Sequence, residues 1–203
     1  MDAQAEMEKL YTEVRACTLC ELAASRTNAV PGVGPVSAEI MFIGEGPGFH
    51  EDRQGIPFVG AAGKFLDELL ANAGIDRKDV YIANVVKCRP PNNRDPKPEE
   101  IEACQPFLDR QIRLLHPRII VTLGRHSMAR YFPQASISRI HGQPKRLGGV
   151  IYMPMFHPAA ALHQSKYRAL IEEDFKKLRG LLEEARAQQA PSQPEQPQQL
   201  SLF

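Results

Sequence analysis

Four continuous apolar runs, each separated from the next by a helix-like segment, constrain this chain of 203 residues more than any other feature. They are "AEIMFIG", "DVYIANVVKC", "RIIVTLG" and "GVIYMPMFHP". None alternates apolar with polar residues, as a strand with one wet face would, so each is expected to be buried on both faces. The segments between them carry helical signals: Ala3 to Arg15 repeats Met7, Leu10, Tyr11 and Val14 at helical spacing, Ala61 to Ala73 stops at Gly74, and Pro98 to Leu115 opens on Pro98, Glu99 and Glu100. Two more helices are expected, from Arg125 to about Tyr131 and from about Tyr167 to Ala187. Strand and helix in turn give an α/β fold with a mostly parallel sheet covered on both faces. Ligands of such sheets bind beyond the carboxyl ends of the strands. Here those ends are "GEGPGFHED", "NVVKCRPPNNR", "LGRHS" and "MFHPAAAL".

With 25 basic and 24 acidic side chains the formal net charge is only +1, so any affinity for nucleic acid has to come from a local basic surface. The N-terminal "MDAQAEMEKL" has no basic region followed by an apolar core, and no apolar run is long enough to cross a bilayer. A cytoplasmic, monomeric protein without a membrane segment is expected. From Gln188 the composition turns to Gln, Pro, Ser and Ala, which divides the chain into a folded domain over 1–187 and a flexible tail over 188–203.

Cysteines in a cytosolic chain more often hold metal or do redox chemistry than form disulfides. Cys17 and Cys20 make a C-x-x-C pair, and Cys88 and Cys104 a wider second pair. Four thiolates brought together could bind zinc or an iron–sulfur cluster, and spacing alone leaves both open. The plain alternative, four unrelated small core residues, suits Cys17 and Cys20 poorly because "RACTLCELAAS" is polar and turn-like.

The motifs "GEGPGFHEDRQGIPFVGAAGKFLDELL", "NVVKCRPPNNRDP" and "MFHPAAAL", with the four-cysteine frame, closely resemble the family 4 uracil-DNA glycosylases, the iron–sulfur branch of that superfamily. The likeness runs from about Ala16 to Leu182. It implies a three-layer α/β/α sandwich around a central four-stranded parallel sheet. It also implies a structural [4Fe–4S] cluster ligated by Cys17, Cys20, Cys88 and Cys104, and a monofunctional enzyme that flips uracil out of DNA and hydrolyses its glycosidic bond.

The resemblance assigns roles residue by residue. Phe58 matches the aromatic that lies on the uracil face. Asn84 matches the amide that reads the base: its NH2 can donate to O4 and its C=O can accept from N3–H, a pattern that cytosine reverses. His157 matches the histidine that donates to uracil O2 as charge develops on the departing base. Gly46, counted with the substrate-contacting positions, stands where another branch carries a water-activating aspartate. The nearby carboxylates Glu45 and Glu51 are therefore assigned jointly to the catalytic water, Glu51 also being suited to exclude thymine's methyl group, and Asp52 is read as structural.

Backbone amides of Gly44 to Gly48, and Arg89, Arg94, Lys97, Arg139, Lys145 and Arg146, are candidate phosphate contacts. Leu162 is a candidate wedge for the gap left by a flipped base. His141, in "SISRIHGQPKR", stands where the family commonly has arginine, and is taken as a DNA-contacting or structural residue. A covalent uracil trap through His141, as in the related family X, is the first alternative; there the "RIH" sequence follows the second strand, whereas here that loop has no histidine. A non-catalytic iron–sulfur module that binds DNA is the second. Finally, Gln199 to Phe203, "QLSLF", resembles the pentapeptide by which bacterial repair proteins dock on the replication sliding clamp, with Leu202 and Phe203 as anchors.

Overall fold

The structure is a computed structural model, and it describes residues 2–189. Strand β1 (Ile40–Gly44) shows why the apolar runs are continuous. Ile40 and Phe42 enter one core with the helices α4 (Ala61–Asn72) and α9 (Lys166–Gln189), through Phe65, Leu66, Leu69, Ile171 and Phe175. Met41 and Ile43 enter a second core on the opposite face, with Met7, Leu10 and Val14 of α1 (Ala3–Ala16) and Phe107 and Leu108 of α5 (Pro98–Leu115). Strand β1 therefore separates two apolar layers, and burial on both faces is what makes its run continuously apolar. Burial of one such large side chain contributes roughly 1.5–3 kcal/mol, so both layers are needed to fix the sheet.

The sheet order is β2-β1-β3-β5-β4, where β2 is Tyr81–Asn84, β3 Ile119–Leu123, β4 Lys145–Leu147 and β5 Val150–Met155. The first four strands in that order are parallel. The expected four-stranded parallel sheet is present, and the expected strand count needs one correction. A short fifth strand, β4, pairs antiparallel with β5 at the edge and is exposed throughout. Gly148 and Gly149, at φ 57° and 80°, make the two-residue turn between them. That is the left-handed geometry a tight hairpin demands, and a Gly-Gly pair between two short runs was its signal in the sequence.

The helix ends follow local chemistry. Asp2 accepts from the Gln4 backbone N–H at 3.0 Å to cap α1, and Pro98 occupies the first turn of α5, where its missing N–H leaves nothing unpaired. Short helices carry the loops: α2 (Leu22–Ser25), α3 (Phe49–Gln54), α6 (Arg125–Ala129), α7 (Ile137–Ile140) and α8 (Ala159–His163). Helix α9 continues to Gln189, so the first residues of the expected tail are helical. The rest of that tail, with Gln199 to Phe203, lies outside the described residues. Among the described residues no helix is long and apolar enough to cross a membrane.

Candidate active site

Because β1 leads to β2 on one side and the chain then crosses to β3 on the other, the carboxyl ends of the strands open around β1 into a cleft. Its volume is about 780 Å³, and Glu45, Gly46, Glu51, Phe58, Asn84 and His157 all line it. The expected substrate-contacting side chains, drawn from four separate stretches of sequence, therefore converge.

Asn84 ends β2 in direct register with Gly44, and both face the same side of the sheet. A methyl group at Gly44 would come within 2.4 Å of Asn84 Oδ1 and 2.8 Å of Phe58 Cε2, so only glycine lets amide and ring approach this closely. Asn84 is 1% exposed, and its Oδ1 has no hydrogen-bond partner. An orphaned buried acceptor costs about 1–3 kcal/mol, and it faces a cleft able to admit a donor.

The Asn84 backbone is held from below. Lys87 Nζ donates to the Asn84 carbonyl at 2.8 Å and to Gln111 Oε1 at 2.7 Å. Gln111 Nε2 in turn donates to Tyr81 Oη at 2.9 Å and to the Pro31 carbonyl at 2.8 Å. Lys87 is 1% exposed, and burial lowers its pKa to about 7. The ammonium-bearing side chain of Lys87 is thus turned inside, as a strut for the Asn84 backbone.

Phe58 sits at φ 54°, a conformation that costs a side-chain-bearing residue about 1–3 kcal/mol unless its surroundings impose it. They do. Arg77 Nη2 donates to the carbonyls of Pro57 and Phe58 at 3.0 and 3.1 Å while its other nitrogen pairs with Asp67. Glu51 Oε1 accepts from the backbone N–H groups of Val59 and Gly60 at 2.9 and 2.8 Å, and its Oε2 from Gly48 at 3.1 Å. Glu51 thus staples the glycine-rich turn to the Phe58 loop, and both of its oxygens are engaged. Asp52 ties the same helix to Thr27, whose N–H it accepts at 2.8 Å.

Glu45 differs. Its carboxylate has no hydrogen bond among the described residues; the nearest imidazole nitrogen, His126 Nε2, lies 3.8 Å away. Burial raises its pKa, opposed by His126. Asp95 and Arg125 complete this group, Arg125 pairing with Asp95 and donating to His126 Nε2 at 3.1 Å.

His157 follows β5 and stacks on Phe58, ring centroids 5.4 Å apart. Its Nδ1 accepts from the Ala159 N–H at 3.1 Å, which leaves the proton on Nε2. Burial pulls its pKa down to about 4, so near neutral pH the ring is an uncharged N–H donor.

The candidate DNA contacts divide. Arg94 is engaged bidentately by the buried Glu100, at 2.9 and 2.6 Å, and Glu100 also accepts from Lys97 N at 2.8 Å. Lys97 pairs with Glu21 at 3.0 Å, and Arg146 with Glu184. Arg89 has no ion pair among the described residues, and its Nε donates to Asn93 Oδ1 at 2.7 Å. Arg139 and Lys145 are exposed and have no ion pair among the described residues. Leu162 is 50% exposed on α8. His141 does not line the cleft: its Nδ1 lies 2.7 Å from the buried Asp174 carboxylate, and its ring packs on Phe156.

The four cysteines also converge. Cys17, Cys20, Cys88 and Cys104 line one small apolar-walled space with Leu19 and Phe107, and all four thiols are free. Arg26 Nη1 donates to Cys88 Sγ at 3.2 Å, and the Lys87 N–H to Cys104 Sγ at 3.4 Å. Burial pushes the Cys88 thiol up and the Cys104 thiol to about 11.

Comparison with known proteins agrees with this geometry. The sequence profile of the uracil DNA glycosylase superfamily matches residues 31–179. A type-4 uracil-DNA glycosylase of Sulfurisphaera tokodaii is 51% identical over 185 residues, covering 86% of this chain and 84% of its own. One from Archaeoglobus fulgidus is 46% identical over 181 residues, covering 85% and 91%. A type-5 uracil-DNA glycosylase of Thermus thermophilus is 40% identical over 111 residues, covering 47% of this chain and 50% of its own. Motifs at three strand ends, one cleft that joins them and this degree of identity agree: the chain belongs to the uracil DNA glycosylase superfamily, in its type-4 branch.

Proposed function

We propose that this protein excises uracil from DNA by hydrolysing the glycosidic bond, leaving an abasic site. The observation that carries the reading is the buried, unpartnered Oδ1 of Asn84 in the cleft. Uracil N3–H is the donor it lacks, whereas cytosine offers no hydrogen there and would leave the acceptor orphaned. An enzyme that acts on a stacked base must first flip it into such a pocket. Phe58 then supports the base face, and the Nε2–H of His157 donates to O2 as negative charge develops, an interaction stronger in the transition state than before it. Glu45, the cleft carboxylate with unengaged oxygens, positions the water and stabilises the cationic sugar. Glu51 holds the turn and the Phe58 loop in place.

The cysteine site suits a [4Fe–4S] cluster held by Cys17, Cys20, Cys88 and Cys104. The four thiols line one shared apolar space, and the likeness to the iron–sulfur branch favours a cluster there over a single zinc ion. The N–H donors on Cys88 and Cys104 favour thiolate sulfur. When bound, the cluster supplies a cross-link between α1, the end of β2 and α5. It takes no part in reading the base.

One assay tests the reading: incubation with an oligonucleotide containing uracil, followed by measurement of free uracil, alkali-sensitive abasic sites and covalent adduct. Free uracil without adduct is expected. An adduct stable to denaturation and lost in His141→Ala would instead establish a covalent trap, and binding without release of uracil a non-catalytic module. The engagement of His141 by Asp174 speaks against the trap.

A further inference from the structure

Phe49, the first residue of α3, is 51% exposed at the rim of the cleft, one residue beyond the glycine-rich turn. A single exposed ring is ordinary by itself, but this one is held in place by its neighbours at the mouth of the cleft. The guanidinium carbon of Arg89 lies 5.2 Å from the ring centroid, and the His50 ring meets Phe49 edge-on at 5.5 Å. Arg89 is itself fixed through Asn93, so the cation is not a passing contact. The Gly48 N–H to Glu51 bond anchors the turn on which the ring sits, setting Phe49 at a constant position relative to Asn84 and Phe58.

We propose that Phe49, backed by Arg89, is a stacking platform for the nucleobase next to the excised uracil on the same strand. The inference rests on the function proposed above. Flipping a base out removes a stacking partner from its neighbours, and an aromatic face at the mouth of the pocket replaces that partner. Stacking on a ring is tolerant of sequence, because every base has a π face. The adjacent cation strengthens the contact and complements the phosphate that travels with the base. The same strand is favoured because the turn leading into Phe49 is continuous with the wall of the uracil pocket.

The test is a cycle of affinities, read by fluorescence anisotropy on single-stranded oligonucleotides that carry 2′-fluorinated deoxyuridine, which resists cleavage. In one set both neighbours of the uracil are ordinary nucleotides; in the others the 5′ or the 3′ neighbour is an abasic tetrahydrofuran. The protein is expected to bind about tenfold more weakly when the base on one side is missing. Phe49→Ala should bind the intact strand about tenfold more weakly and show no further loss with the abasic neighbour, whereas Phe49→Tyr should keep the wild-type pattern. Unchanged affinity of Phe49→Ala, an equal abasic penalty in both proteins, or a penalty seen only after annealing a complement would each overturn the proposal. Release of uracil from an unmodified strand, followed in parallel, reports separately on the underlying activity.

Discussion

Glu51 commits both carboxylate oxygens to three backbone N–H groups, whereas six residues earlier Glu45 faces the cleft with none among the described residues. Sequence could name both as carboxylates near the first strand end and could not divide their work, because what separates them is contact with Val59 and Gly60 across a loop. The expected outcome of substitution is correspondingly split. Glu45→Gln should lower kcat by about 10²- to 10³-fold with little change in melting temperature, as loss of a group acting in the transition state does. Glu51→Gln should cost stability, about 1.5–3 kcal/mol for weakening hydrogen bonds to a charged acceptor, before it affects the chemistry. Chemical denaturation alongside single-turnover rates separates the two; a melting loss for Glu45→Gln equal to that of Glu51→Gln would sink the division. His157 adds a pH dependence. Its folded pKa is about 4, against about 6.5 for an unperturbed imidazole. Between those values the unfolded chain binds a proton that the folded ring refuses, so its contribution to stability is complete above pH 6.5 and is lost as pH falls towards 4. Each unit of that window removes up to about 1.4 kcal/mol, and His157→Gln should flatten that part of the slope in denaturation curves at pH 7, 6 and 5.

At the scale of elements, the four parallel strands were legible because burial on both faces leaves an unbroken apolar run, and Pro98 and Gly74 marked helix ends by backbone chemistry alone. The edge strand β4 was not, since an exposed three-residue strand buries nothing and leaves no pattern beyond its Gly-Gly turn. The place of Lys87 was not legible either: only the fold brings Gln111 and the Asn84 carbonyl within reach of its side-chain nitrogen. Together these contacts make the segment from Asn84 to Cys104 one mechanical unit, with an amide at one end, Cys88 and Cys104 at its ends of attachment, and Arg94–Glu100 bracing the loop between. Cys88→Ala should therefore lower the melting temperature and DNA affinity, and expose residues 89–97 to protease, while the preference for uracil over cytosine persists. A variant that stays folded, protease-resistant and fully active would show that the loop does not depend on the thiol.

For the whole molecule, a net charge of +1 means that attraction to DNA must be local, and ion pairing narrows it further. Of the six candidate phosphate contacts, Arg94, Lys97 and Arg146 are neutralised by Glu100, Glu21 and Glu184, which leaves Arg89, Arg139 and Lys145. Each phosphate neutralised on a single strand contributes about 0.7 to the slope of log affinity against log salt, so three contacts give a slope near −2. That is shallow for a DNA-binding protein, and on the proposed function it transfers the burden of affinity to groups insensitive to salt, the cleft at Asn84 and Phe58 above all. Affinity for a short uracil-containing strand, measured between about 50 and 200 mM salt, should therefore fall by roughly 15- to 20-fold. Arg139→Ala should reduce the slope by about 0.7 and leave base preference alone, since a phosphate contact positions the strand without reading it. A slope steeper than about −4 would require the paired cations to leave their carboxylates for phosphate, and would return Arg94 and Lys97 from loop architecture to the DNA interface.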